Sequence, residues 1–81
     1  MNDPVALDLR GTACPVNFIR ARLALESLPS GGWLQIDLDG GEPEQMVTDG
    51  LRSEGHAVEV VSPSPFASAG GVRLRVRRDG G

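Results

Sequence analysis

One cysteine, Cys14, followed at once by Pro15, is the most reactive feature of the sequence. Proline suits the first position of a helix. Pro15 therefore predicts a helix starting there, with Cys14 in the N-cap position. The first backbone N–H groups of a helix have no partners inside it. A thiolate at the cap accepts those hydrogen bonds and sits at the positive end of the helix dipole. Ser, Thr, Asp and Asn make better structural caps, so a cysteine there points to chemistry. Gly11 and Ala13 leave room for a second sulfur to approach, and Arg10, Arg20 and Arg22 are candidates to add positive potential, though the sequence does not place them in space. The plainer alternative is that Cys14 is simply a small hydrophobe.

The rest of the inventory narrows the chemistry. A single cysteine cannot run a dithiol cycle. The single histidine, His56, follows Gly55 beyond the second predicted helix, a poor place for a Cys-His pair. Cysteine and histidine are too few for a structural zinc site, so no metal and no cofactor are expected. What remains is exchange with a sulfur on another protein. Thiolate attack on a sulfur–sulfur bond moves a sulfur atom with one cysteine on each partner.

The elements that must position Cys14 follow from periodicity. Val5, Leu7 and Leu9 alternate with polar or small residues and predict a strand. A helix follows from Pro15 to about Leu28, ended by Pro29-Ser30-Gly31-Gly32. Leu34, Ile36 and Leu38 form a second strand, and Gly40-Gly41 a turn. Pro43 opens a second helix, with Met46, Val47, Gly50 and Leu51 on one face and Gly55 as its C-cap. Val58 and Val60 mark a third strand. Ser62 to Gly71 reads as a loop carrying Phe66. Val72, Leu74 and Val76 form a fourth strand, and Asp79-Gly80-Gly81 a frayed tail.

The order is βαβαββ. Each strand alternates rather than running continuously apolar, so one sheet face should be open. The fold class is α/β: a two-layer α/β sandwich, a four-stranded mixed sheet with both helices on one face, in a single domain over residues 1–81. The open face would carry Asp8, Arg10, Gln35, Asp37, Glu59, Arg73, Arg75 and Arg77, with cross-strand ion pairs. On the first helix, Phe18, Ala21, Ala24, Leu25 and Leu28 form the arc expected to face the core. Val16, Ile19 and Leu23 form a second arc, an exposed apolar stripe starting beside Cys14 and suited, with Arg20, to partner docking. Trp33 reads as packing and Met46 as core.

At 81 residues the core is thin and a deep cofactor cavity is not expected. The hydrophobic fraction of 40% fits a globular domain, and the net charge of −3 argues against a nucleic-acid binder. Met1 to Arg10 contains Asp3 and Asp8 and does not read as a signal peptide. No apolar run approaches membrane-spanning length. A lone free thiol suits a reducing compartment, so the cytoplasm is expected.

The block Asp8-Leu9-Arg10-Gly11 followed by Cys14-Pro15, then Leu28-Pro29, Gly31-Gly32 and Gly55-His56, resembles the TusA/SirA-like sulfur-carrier family over nearly the whole chain. The resemblance implies that Cys14 accepts a persulfide sulfur from a cysteine desulfurase or other sulfur donor protein. Cys14 then hands it to a sulfur acceptor protein, making the chain a sulfurtransferase that acts through its own cysteine. Members of that family feed tRNA thiolation, molybdenum-cofactor pathways or sulfur oxidation. Arg10, Gly11, Pro15 and Asn17 would support the site. The family motif is Cys-Pro-X-Pro, whereas this chain has Asn17 at the last position. As the third helical residue, Asn17 would bring an N–H within reach of the sulfur, and its side chain could reach back to the cap.

Two other readings compete. One is an interaction or regulatory module on the same fold, with Cys14 silent. The other is an RNA-binding module using Arg73, Arg75, Arg77 and Arg78, though the stacking aromatics of single-strand binders are scarce.

Overall fold

The computed structural model describes residues 5–61 and 70–79. Its elements are β1 (Val5–Asp8), α1 (Val16–Glu26), β2 (Trp33–Asp39), α2 (Glu42–Ser53), β3 (Ala57–Val61) and β4 (Gly71–Arg77). The four strands form one sheet in the order β1-β2-β4-β3. β1 and β2 are parallel because α1 carries the chain back between them. β4 inserts antiparallel between β2 and β3, which makes the sheet mixed.

Side-chain alternation sorts the sheet into two faces. Leu34, Ile36 and Leu38 of β2 and Leu74 and Val76 of β4 are fully buried, as are Ala21 of α1 and Val47 and Leu51 of α2. α1 packs on β2, and α2 on β2 and β3, so the core lies between the helices and one face of the sheet, with Leu74 and Val76 of β4 inside it. Val5 on β1 and Val60 on β3 lie at the margins and are about half exposed. On the other face, Asp37 and Arg73 stand opposite each other in register. The Arg73 guanidinium donates to both Asp37 oxygens, at 2.8 and 3.3 Å. Trp33 lies under the Arg75 guanidinium at 4.9 Å, with Arg77 at 5.8 Å. Such stacking of a guanidinium on indole is favourable and covers apolar surface on the open face.

The boundaries differ from the sequence reading in ways that have physical causes. α1 ends at Glu26 rather than Leu28. Its last turn tightens, with the Ser27 and Leu28 N–H groups donating to the carbonyls of Ala24 and Leu25. The Arg78 guanidinium then donates to the free carbonyls of Glu26 (3.2 Å) and Leu28. Arg78 therefore serves the end of a helix and does not extend a basic stripe along β4. Leu9 lies just past β1 but is buried. Asp79, expected to fray, is held by Arg77 at 2.8 Å. The expected loop lies outside the described residues over 62–69, and β4 already includes Gly71. Residues 80 and 81 of the expected tail also lie outside the described residues.

α2 closes in a Schellman arrangement. Gly55 (φ 92°) donates to the Arg52 carbonyl and His56 to the Leu51 carbonyl. His56 is buried there, at the junction with β3, so its place is structural. Met46, expected in the core, is 52% exposed. It lies on α2 toward the start of α1 rather than over the sheet.

Candidate functional site

The loop between β1 and α1 is pinned at several points before it reaches the cysteine. The Leu9 N–H donates to the Asp37 carbonyl at 2.8 Å, continuing the β1–β2 pairing by one residue. A turn follows, closed by the Thr12 N–H on the Leu9 carbonyl at 3.0 Å. Its third residue is Gly11 at φ 77°, the conformation a type II turn requires there. The Gly11 N–H donates to Asp39 Oδ2 at 2.8 Å. The carboxylate at the end of β2 thus fixes the loop that leads to Cys14. Asp39 was not singled out from the sequence, where it reads as one more polar residue in an alternating strand.

Arg10 folds back on its own strand. Its Nε and terminal nitrogen donate to Asp8 at 3.0 and 2.9 Å, and its backbone N–H donates to the same carboxylate at 3.1 Å. The guanidinium, with help from the backbone N–H, holds the Asp8 carboxyl at about 2, below its ordinary 3.8. Arg10 is not among the residues lining the pocket beside Cys14. Its place is next to Asp8 at the strand end.

Cys14 is one residue earlier relative to α1 than the sequence reading put it. The N-cap is Pro15 (φ −91°, ψ 6°), and α1 begins at Val16. The proline stands at the cap instead of at the first helical position. Cys14 lies inside the preceding turn, spanned by the Asn17 N–H donating to the Ala13 carbonyl at 3.1 Å. The Cys14–Pro15 peptide bond is cis. No side-chain cap bond is made, and Cys14 is partly exposed.

Asn17 is the larger departure. It is the second helical residue, not the third, and its N–H serves Ala13 instead of the sulfur. Its side chain does not reach back to the cap. It is fully buried, because Asn17, Ala21 and Leu25 fall at i, i+4 and i+8 on the core-facing row of α1. Its Oδ1 accepts the Phe18 N–H at 2.7 Å. Its Nδ2 has no partner among the described residues. A buried donor left unpaired costs about 1–3 kcal/mol.

A pocket of about 210 Å³ opens beside the thiol, lined by Cys14, Pro15, Asn17, Phe18, Met46 and Gly50. Its second wall comes from α2. Gly50 lets the helices meet, since a Cβ there would lie 2.6 Å from Cε1 of Phe18. Phe18, Met46 and Gly50 were not recognised as site residues from the sequence. The available signal was Met46 and Gly50 four apart on one face of α2, with a glycine in a helix interior.

The second arc of α1 faces solvent, with Val16 49%, Ile19 48% and Leu23 59% exposed. Arg20 is exposed beside it. Arg22 instead reaches Glu26 and Glu54, at 3.4 and 3.5 Å, linking α1 to the end of α2. An apolar stripe therefore runs along α1 from the residue after Pro15. Among the described residues no cluster of three or more His, Cys, Asp or Glu side chains could hold a metal ion. None of their helices is long and apolar enough to cross a membrane. The arrangement offers one partly exposed cysteine, an adjoining apolar pocket and an apolar approach. It can exchange sulfur only with a partner that brings the second sulfur.

The family model described as "Sulfurtransferase TusA" matches residues 5–78. A protein of Archaeoglobus fulgidus named "Putative sulfur carrier protein" is 38% identical over 52 residues, 64% of this chain. That match spans 59% of the relative's own length. The crystal structure of a SirA-like protein from Desulfitobacterium hafniense superposes with a TM-score of 0.75. It covers 93% of this chain and 97% of that one at 22% identity, a likeness of fold.

Proposed function

We propose, from the premise that this chain belongs to the TusA sulfurtransferase family, that it carries sulfur between proteins as a persulfide on Cys14. The observation that supports this most directly is that Cys14 is partly exposed and lines the pocket between α1 and α2. In loading, the Cys14 thiolate attacks the outer sulfur of a donor's cysteine persulfide. A new bond forms at Cys14 Sγ, the donor's sulfur–sulfur bond breaks, and the donor cysteine leaves as a thiolate. The proton of the outer sulfur travels with it or returns from solvent. Unloading repeats the step, with an acceptor cysteine attacking the outer sulfur and Cys14 leaving. No net oxidation or reduction occurs.

The donor in this reading is a cysteine desulfurase or another protein bearing a persulfide, and the acceptor is a protein thiol. Val16, Ile19 and Leu23, with Arg20 at their side, form the surface on which these partners dock. A free thiol in steady use fits a reducing compartment such as the cytoplasm.

The test is intact mass after incubation with a cysteine desulfurase, its coenzyme and free cysteine. A gain of one sulfur atom is expected, absent in Cys14→Ser and removed by a reductant. Folded, reduced protein that gains nothing from several desulfurases would favour an interaction module with a silent cysteine.

A further inference from the structure

Asn17 serves helix formation with one end of its amide, since Oδ1 takes the first-turn N–H of Phe18, but the other end serves neither the helix nor the core. It is fully buried on the core-facing row of α1, where Ala21 and Leu25 show that apolar residues fit. It lines the pocket that Cys14 opens into. Its Oδ1 is used by the Phe18 N–H, which fixes which end of the amide is the donor. That donor, Nδ2, meets no acceptor among the described residues, the Cys14 thiol included. An apolar side chain would remove the unpaired Nδ2 but would also take away the Oδ1 that the Phe18 N–H donates to.

The acceptor Nδ2 lacks is one the protein holds only part of the time. A persulfide adds a second sulfur about 2 Å beyond Sγ, and as an anion it carries its charge on that outer atom. Hydrogen bonds to charged acceptors are the stronger kind. The pocket of about 210 Å³ has room for this atom and for an approaching partner sulfur; Nδ2 lies buried behind its wall in the unloaded chain, so the wall must shift on loading for the two to meet.

We propose that Asn17 is a positioning residue for the cargo: the outer sulfur of the Cys14 persulfide turns into the α1–α2 pocket and accepts a hydrogen bond from Asn17 Nδ2. This rests on the carrier reading above and adds where the sulfur is kept between donor and acceptor. A proline at this position, as in the Cys-Pro-X-Pro pattern, has no side-chain donor to offer.

The experiment loads Cys14 chemically with inorganic polysulfide, so that no donor protein is needed. Intact mass confirms one added sulfur, and NMR follows the Asn17 side-chain amide. On loading, one Asn17 amide proton is expected to move downfield and exchange more slowly with water, reverting with a reductant. In Asn17→Asp, which keeps an acceptor for the Phe18 N–H but lacks the amide donor, the persulfide half-life is expected to fall roughly tenfold. An Asn17 amide that stays unmoved in protein shown to carry the sulfur overturns the proposal, whether or not the variant folds. Failure of Cys14 to hold sulfur even from polysulfide overturns the carrier reading, and this inference with it.

Discussion

The Phe18 ring occupies the space that a side chain on Gly50 would need: a Cβ there would lie 2.6 Å from Cε1 and 2.9 Å from Cδ1. The contact joins α1 to α2 beside Cys14, so the size of residue 50 sets the shape of the pocket. Alanine at position 50 is intrinsically better for the helix than glycine, by up to about 1 kcal/mol. The clash falls on the end of a side chain, which can swing, not on backbone. Gly50→Ala is therefore expected to cost no more than about 2 kcal/mol, the helix gain offsetting part of the roughly 1–3 kcal/mol of overpacking, while pushing the ring into the pocket. Denaturant unfolding checks the first part. Alkylation of Cys14 by small and bulky reagents checks the second, with the bulky reagent slowed far more. Equal rates with both would show that the ring does not move into the pocket.

Asp39 acts on the site from the end of β2, by accepting the Gly11 N–H at 2.8 Å. The bond is exposed, so its loss in Asp39→Ala should cost no more than about 1.5 kcal/mol of stability. The local effect should be larger, because the turn through Gly11 leads directly to the cysteine. Hydrogen exchange at the Gly11 amide is expected to quicken about tenfold in Asp39→Ala and less in Asp39→Asn, which keeps an oxygen acceptor. Unchanged exchange in both variants would mean that the loop is held without Asp39.

Much of the fold was legible because one face of each element is apolar at the right period. Leu34, Ile36 and Leu38 alternate as a strand must, and the wider arc of α1 holds Ala21 and Leu25, both buried in the structure. The site was legible only in part. Proline's preference for the first helical position does not exclude the cap itself, so Cys14 was placed one residue too close to α1. Asn17 follows a reactive cysteine and reads as a capping residue. Only its spacing of four from Ala21 signals the buried row, and polarity masks that. Met46 looks like core because it is apolar, yet it is half exposed and lines the pocket at the start of α1. The contact between Phe18 and Gly50 joins two helices and has no local signature.

Acid titration should single out Asp8. The guanidinium and backbone N–H of Arg10 lower its carboxyl to about 2 from 3.8. The folded value lies below the unfolded one, so the pair's contribution is complete above about 3.8 and is lost as pH falls from there through about 2. Both groups are solvent-exposed, so the effect on stability is small and the titration itself is the better readout. Carboxyl NMR is expected to give a midpoint near 2 for Asp8, rising toward 3.8 in Arg10→Gln. A normal midpoint in the unmodified chain would mean that Arg10 does not stay folded back on the strand.

The apolar stripe of α1 separates recognition from chemistry. Val16 and Ile19 are each about half exposed, and neither belongs to the buried core. Aspartate at either position should therefore leave the fold intact, at a cost of about 1 kcal/mol for the half of the side chain that is buried. An apolar strip next to a reactive sulfur is suited to a partner that must bring its own sulfur within bonding distance. Val16→Asp and Ile19→Asp are expected to slow loading by a cysteine desulfurase roughly tenfold or more, because a charge would be buried on docking. Loading by inorganic polysulfide, which needs no docking, should slow far less, with Val16→Asp losing only what its added charge near the thiol takes away. Mass spectrometry over a time course compares the two routes. Equal slowing by both would place the effect at the thiol itself, and no slowing by either would remove the stripe from the partner surface.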